Sequence, residues 1–182
     1  FSWLGGLVQG DLGTSLTSGM PVLELILNRL PITLGLAGLA VLFALIIAVP
    51  LGTMAALHAG RRADKLISLF AACGIASPQF FIGLILIMIF ALNLGWLPAT
   101  GYVPLADNPG DWFKHMILPA FAFSLPLAAE LTRQLRSSLV DVFGQYYVRT
   151  ARAYGYSRSR IVLRHCFRNA SLPVVTVLGS QI

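Results

Sequence analysis

Charged side chains are scarce. Of 182 residues, 13 are Lys or Arg and 7 are Asp or Glu, 11% of the chain. Soluble domains carry about 25%, so too few groups remain to build a surface that faces water. The chain is also 57% hydrophobic, with a mean hydropathy of +0.78, and that composition excludes intrinsic disorder. What is left is a membrane protein.

Other absences narrow the chemistry. Cysteine occurs twice, at Cys73 and Cys166, far apart and with neither on the outer face of the topology below, so no disulfide framework is expected. The neighbours His165 and Cys166 would point about 100° apart on a helix, and no second CxxC or HxxxH completes a coordination sphere, so no metal site is predicted. There is no GxxxxGK[ST], hence no P-loop through which this chain would bind ATP. An intramembrane serine protease needs Ser and His at membrane depth, yet His58, His115 and His165 fall in loops or at span ends. An aspartyl version needs paired buried carboxylates, and Asp11, Asp64, Asp107, Asp111 and Asp141 lie outside the spans. No catalytic residue is predicted, and no charged or polar ring that would line a channel is visible.

Apolar runs are abundant. Residues 32–57 are uncharged and long enough for a hydrocarbon core of about 30 Å, which needs ~20 helical residues. Residues 66–97 are again uncharged but too long for one straight crossing. The cluster Gly74, Ser77, Pro78 and Gln79 predicts a short helix, a break, and a main span over 80–97 anchored by Trp96. Residues 98–115, with Gly101, Pro104, Pro109 and Gly110, read as an extracytoplasmic loop. A third span is expected over 116–135, diluted by Pro119, Ser124 and Pro126. Its small residues Ala120, Ala122, Ala128 and Ala129 suit helix packing better than lipid contact.

Basic residues gather in two segments beside these runs, around Arg61, Arg62 and Lys65 and again from Arg133 to Arg168. This is the asymmetry of cytoplasmic loops, so the net charge of +6 reports topology rather than nucleic-acid binding. Residues 1–31 are then an extracytoplasmic segment leading into the first span, and 32–182 the transmembrane core. No signal peptide is visible, because residues 1–10 lack a basic flank. The apolar run over 170–182 is too short to cross, so a truncated span and an internal fragment of a longer chain are expected.

The cytoplasmic segment of about 139–169 is the most informative. Tyr147, Ala151 and Tyr154 share one helical face and Arg149 and Arg152 another. Gly155 suits a left-handed helix end, and Ser157 an N-cap for a following helix. A short helix, a sharp turn and a second helix would present an exposed aromatic face. Such a face suits a protein partner, or an amphipathic hairpin lying on acidic lipid, and the residues alone do not choose.

The run Tyr147-Val148-Arg149-Thr150-Ala151-Arg152-Ala153-Tyr154-Gly155, followed by Arg164-His165-Cys166-Phe167-Arg168-Asn169-Ala170-Ser171-Leu172-Pro173, resembles the EAA loop of ABC-importer permeases. It is most similar to the dipeptide, oligopeptide and nickel branch. The likeness extends to Gly10-Asp11-Leu12-Gly13-Thr14-Ser15, Leu30-Pro31-Ile32-Thr33-Leu34, Ser77-Pro78, Gly95-Trp96-Leu97-Pro98 and Leu118-Pro119-Ala120, and so covers nearly the whole chain. Where the general pattern has Glu-Ala-Ala, this chain has Arg149, Thr150 and Ala151, as the peptide and nickel branch does. Tyr154 stands where that branch often has Lys.

The resemblance implies an all-α, multi-pass transmembrane helical bundle of the MetI-like ABC permease fold, in a bacterial inner membrane. It implies a second homologous permease subunit, two cytoplasmic ABC ATPase subunits and an extracytoplasmic solute-binding protein. ATP and Mg would sit on the ATPase subunits, and no cofactor on this chain. Tyr147, Arg149, Thr150, Ala151, Arg152, Ala153, Tyr154 and Gly155 would couple ATP hydrolysis to the bundle, for import of di- or oligopeptides or a related solute. A nickel-chelate importer of the same branch is the nearest alternative, and a membrane scaffold that recruits a cytoplasmic protein is the alternative outside transport. Ser77, Pro78 and Gln79 are candidates for a pathway or gate, since discontinuous helices often border transport sites, although a packing kink explains them as well. Glu130 with Arg133 reads as an interfacial pair, and Asp107, Asp111 and Trp112 as a loop within reach of a binding protein.

Overall fold

The computed structural model describes residues 12–156, together with 176 and 179. The fold is all-α. Among the described residues the only strand-like feature is an isolated β-bridge between Thr14 and Pro21, which closes a turn just before the first helix. The motif residues Gly10 and Asp11, the helix expected after Gly155, the Arg164–Pro173 motif and the truncated span over 170–182 lie outside the described residues, save for Thr176 and Gly179. The chain falls into two compact units, Phe1–Gly38 and Leu39–Ile182.

Helix α1 (Val22–Leu57, 36 residues) runs from the first unit into the second. It starts well before the uncharged run at Ile32, taking in Glu24, Arg29 and Pro31. Glu24 in the first turn complements the positive end of the helix dipole. At ~1.5 Å per residue the helix is about 54 Å long, more than a hydrocarbon core of about 30 Å requires.

Helix α2 (Arg62–Ala76) ends where the sequence places a break. Proline forces the residue before it out of the helical region, and Ser77 is extended at φ −80° and ψ 130°. The carbonyl of Cys73 accepts both the Ser77 N–H at 3.0 Å, the last bond of the helix ladder, and the Ser77 hydroxyl at 2.8 Å. The chain then restarts as α3 (Gln79–Leu86), continued by a π-helical segment (Ile87–Asn93), and the two halves meet at 100°. Their 8 and 7 residues reach about 22 Å together. The helix stops at Asn93, short of residue 97, to which the main span was expected to run, and Trp96 folds back so that its N–H donates to Phe90 O at 2.9 Å. Their rings lie 6.0 Å apart.

Helix α4 (Pro109–Phe143, 35 residues) is the hub. It begins inside the stretch read as loop, because Asn108 is a good N-cap: its side-chain oxygen accepts the N–H groups of Gly110 at 3.1 Å and Asp111 at 3.2 Å, with Pro109 in the first turn. Asp111 and Trp112 are thus helical, and Asp111 pairs with Lys114 at 3.0 Å. The helix continues through Pro119 and Pro126. Both α2 and α3 pack against it. Of the described helices, α1 and α4 are each long and apolar enough to cross a membrane, and the bent α2–α3 pair passes the same test as a unit.

Packing in the second unit rests on small residues. Ala40, Ala44, Ala48, Gly52 and Ala56 recur every fourth position along α1 and are all buried. That spacing makes a smooth stripe on one helix face. In lipid, where apolar surface gains nothing by leaving its surroundings, such stripes stabilise association by letting backbones approach. Leu131, Leu135 and Leu139 of α4 share a buried cluster with Ala44, Ala48 and Ala56. Gly74 of α2 approaches Ala129 in the same manner. Phe43 and Phe121 meet edge to face, with centroids 6.1 Å apart.

Candidate functional site

After Phe143 the chain turns at Gly144 and Gln145 and enters a short helix, α5 (Tyr146–Ala153). The Val148 N–H donates to Gln145 O at 3.2 Å, and the Thr150 hydroxyl to Tyr146 O at 3.1 Å. One side chain fixes the helix in place. Val148 is fully buried and belongs to the cluster formed by Ala44, Ala48 and Ala56 of α1 and Leu131, Leu135 and Leu139 of α4. It seats α5 in the middle of the main helix packing.

The other described side chains of α5 face outward. Tyr146 is 83% exposed and Tyr154 78%, and Tyr147, Thr150 and Ala153 are also exposed. Arg149, Ala151 and Arg152 fall within α5, and their side chains lie outside the described residues. The helix closes with the Tyr154 N–H on Thr150 O at 3.1 Å, and Gly155 follows at φ +76°. Among the described residues, its chain neighbours aside, no heavy atom lies within 4 Å of where a Gly155 Cβ would stand, and the left-handed backbone is what requires glycine there. The product is a lever: an eight-residue helix, rooted by Val148 and displaying tyrosines.

A second arrangement near this end was not visible in the sequence. Asp64, in the basic segment ahead of the apolar run at Leu66, is only 3% exposed. Its Oδ2 accepts the Arg136 Nη2–H at 2.7 Å and the Gly60 N–H at 2.8 Å, and its Oδ1 accepts the Arg136 Nε–H and, at 3.4 Å, the Ser68 hydroxyl. The Arg136 guanidinium holds the Asp64 carboxyl well below the usual carboxylate range, against the opposing pull of burial, and the Gly60 N–H acts in the same direction. Arg133, the cation singled out from the sequence, is exposed, while Arg136 makes the pair that joins two helices.

The break residues border two separate hollows. Gln79 lines a mainly apolar cleft of about 670 Å³ between α3, residues 98–101 and the first part of α4, with His115 and Thr100 among its few polar groups. Ser77 lines a smaller hollow of about 410 Å³ with Ile47, Phe70, Leu125 and Thr132. Gln79 and Ser77 thus line different hollows. Val148 and the Asp64–Arg136 pair are the residues that sequence reading missed. The signal for Val148 was present, as the lone β-branched apolar residue in an otherwise aromatic, basic and small run; the pair left none.

Comparison with known proteins completes the picture. The family described as "Binding-protein-dependent transport system inner membrane component" matches residues 48–182. The oligopeptide transport system permease protein AppB of Bacillus subtilis is 45% identical, over 99% of this chain and 58% of the relative. The glutathione transport system permease protein GsiC of Escherichia coli is 40% identical, over 98% of this chain and 56% of its own length. A probable peptide ABC transporter permease protein, y4tP of Sinorhizobium fredii, is 36% identical over 97% and 56%. The chain spans a little over half the length of these curated relatives.

Proposed function

We infer function from kinship: this chain belongs to the family of binding-protein-dependent transport system inner membrane components. In our reading it is a permease subunit of an ATP-driven importer that carries di- or oligopeptides, or a related solute, across a bacterial inner membrane. The observation that carries the reading is α5, in which Val148 is buried in the α1–α4 packing while Tyr146, Tyr147 and Tyr154 face outward ahead of a left-handed Gly155. That geometry suits a helix gripped by a moving partner, and residues 147–155 are the segment whose sequence resembles a coupling loop.

In this reading, two cytoplasmic ATPase subunits each hold one such helix, one from this chain and one from a second homologous permease subunit. A solute-binding protein delivers substrate on the other side. ATP and Mg bind the ATPase subunits, whose closure displaces α5. Because Val148 roots α5 in the cluster shared by α1 and α4, that displacement reaches both helices at once. Nucleotide and loaded binding protein drive transport by favouring the same state of the bundle, and this chain performs no bond chemistry.

The test is to extract the full-length protein from native membranes in mild detergent with Mg-ATP and identify what accompanies it by mass spectrometry. Recovery of a P-loop ATPase and a second permease supports the importer, and the ligand carried by a co-purified binding protein then separates peptide from chelated nickel. Recovery of the folded protein alone, or with a signalling protein and no ATPase, replaces the importer by a scaffold.

A further inference from the structure

We propose that Asp64 and Arg136 are positioning residues for coupling: their two-point ion pair locks the Gly60 turn and α2 to α4, so that a displacement of α5 reaches the Ser77–Pro78 bend as one rigid movement. The proposal rests on the importer reading above.

The chemistry of the pair argues for a role in register. A buried ion pair seldom stabilises a fold more than an apolar pair of similar volume would, because desolvation offsets the attraction; what it adds is one allowed geometry. Here that geometry is heavily specified. The planar guanidinium meets both carboxylate oxygens, and the remaining acceptor positions on Asp64 take the Gly60 N–H and the Ser68 hydroxyl. Gly60 sits at φ +79°, a left-handed backbone that glycine adopts without strain, and the turn so formed delivers its N–H to Asp64. One carboxylate thus ties together the turn after α1, the start of α2 and the last third of α4.

Position matters as much. Arg136 follows Leu135, which lies against Gly52 of α1, and precedes Leu139, which shares the buried cluster with Val148 of α5. The clamp therefore stands where the lever joins the bundle. Without it, α2 would meet α4 through Ile67, Ala71 and Gly74, a smooth apolar contact that allows the helices to slip or rotate. With it, α2 keeps its rotation relative to α4 while the remainder of the bundle changes state.

The experiment uses the full-length subunit, purified with its accompanying subunits, in proteoliposomes loaded with ATP and supplied with radiolabelled casein hydrolysate. Assembly, ATP hydrolysis and peptide uptake are measured for the unaltered complex, for Arg136→Lys, and for the double variant Asp64→Leu with Arg136→Met. Lysine keeps the charge and loses the planar fork, while the apolar pair restores packing without directional bonds. Both are expected to assemble and hydrolyse ATP, with uptake per ATP lower by ~5-fold or more. If either assembled variant transports with the unaltered ratio of peptide to ATP, the positioning role is overturned. Should the double variant fail to assemble, Arg136→Lys decides alone. A complex whose unaltered form shows no ATP-dependent uptake of these peptides, nor of chelated nickel supplied in their place, overturns the importer reading, and this proposal with it.

Discussion

Gly52 of α1 and Thr132 of α4 are so close that a Cβ on Gly52 would stand 3.0 Å from the Thr132 carbonyl oxygen, with Leu135 Cβ at 3.1 Å. A backbone oxygen cannot swing aside as a side-chain end can. Gly52→Val should therefore separate the helices and lower stability by about 1–3 kcal/mol. Gly38→Ala, on the same helix with nothing within 4 Å of its Cβ position, should show no such loss. Thermal unfolding of the two variants in detergent checks the contrast.

Val148→Ala removes two methyl-sized groups from a fully buried position. At ~0.8 kcal/mol per group, plus a cavity term, α5 should lose about 2 kcal/mol of its seating. The expected outcome is a bundle that still inserts and folds but retains less ATPase through size-exclusion chromatography. Tyr146→Ala, which changes an exposed side chain, should reduce that retention without altering thermal stability.

Gly155→Val tests the turn. At φ +76° a β-branched residue is strained by about 1–2 kcal/mol, so the helix end should shift while the helices above it remain in place. Uptake is expected to fall with ATP hydrolysis continuing, and Gly155→Asn, which tolerates left-handed backbone, should retain more uptake than Val. Undiminished uptake by Gly155→Val would remove this residue from the mechanism.

Asn108→Ala deprives Gly110 and Asp111 of the oxygen that accepts their N–H groups. The start of α4 should lose about 1 kcal/mol, seen as faster amide hydrogen exchange over residues 110–112. Asn108→Ser, which can still cap, should recover most of the protection.

Legibility in the sequence followed the range of the interaction. The break at Ser77 and Pro78 was readable because proline acts on its immediate neighbour, and Gly155 because a left-handed helix end is a one-residue requirement. The length of α1 was not legible, because the uncharged run from Ile32 marks where polarity changes and not where the helix begins. The start of α4 was hidden by Pro109 and Gly110, although Asn108 ahead of a proline is a capping signal. Val148 was overlooked because the helical spacing of its aromatic neighbours drew attention to the opposite face. The bond between Asp64 and Arg136 joins residues 72 positions apart, and no local pattern announces such a partner.

The angle at Ser77–Pro78 has a mechanical consequence. A straight helix that rotates about its own axis moves nothing at its far end. A helix bent by 100° behaves as a crank: turning α2, with α4 held to it, about the α2 axis swings the arm formed by Gln79–Asn93 through an arc. With an arm of about 22 Å, a rotation of ~10° carries Asn93 roughly 4 Å sideways. A small twist at the arginine-rich end of the molecule is thereby magnified into a displacement of atomic-contact size at the other.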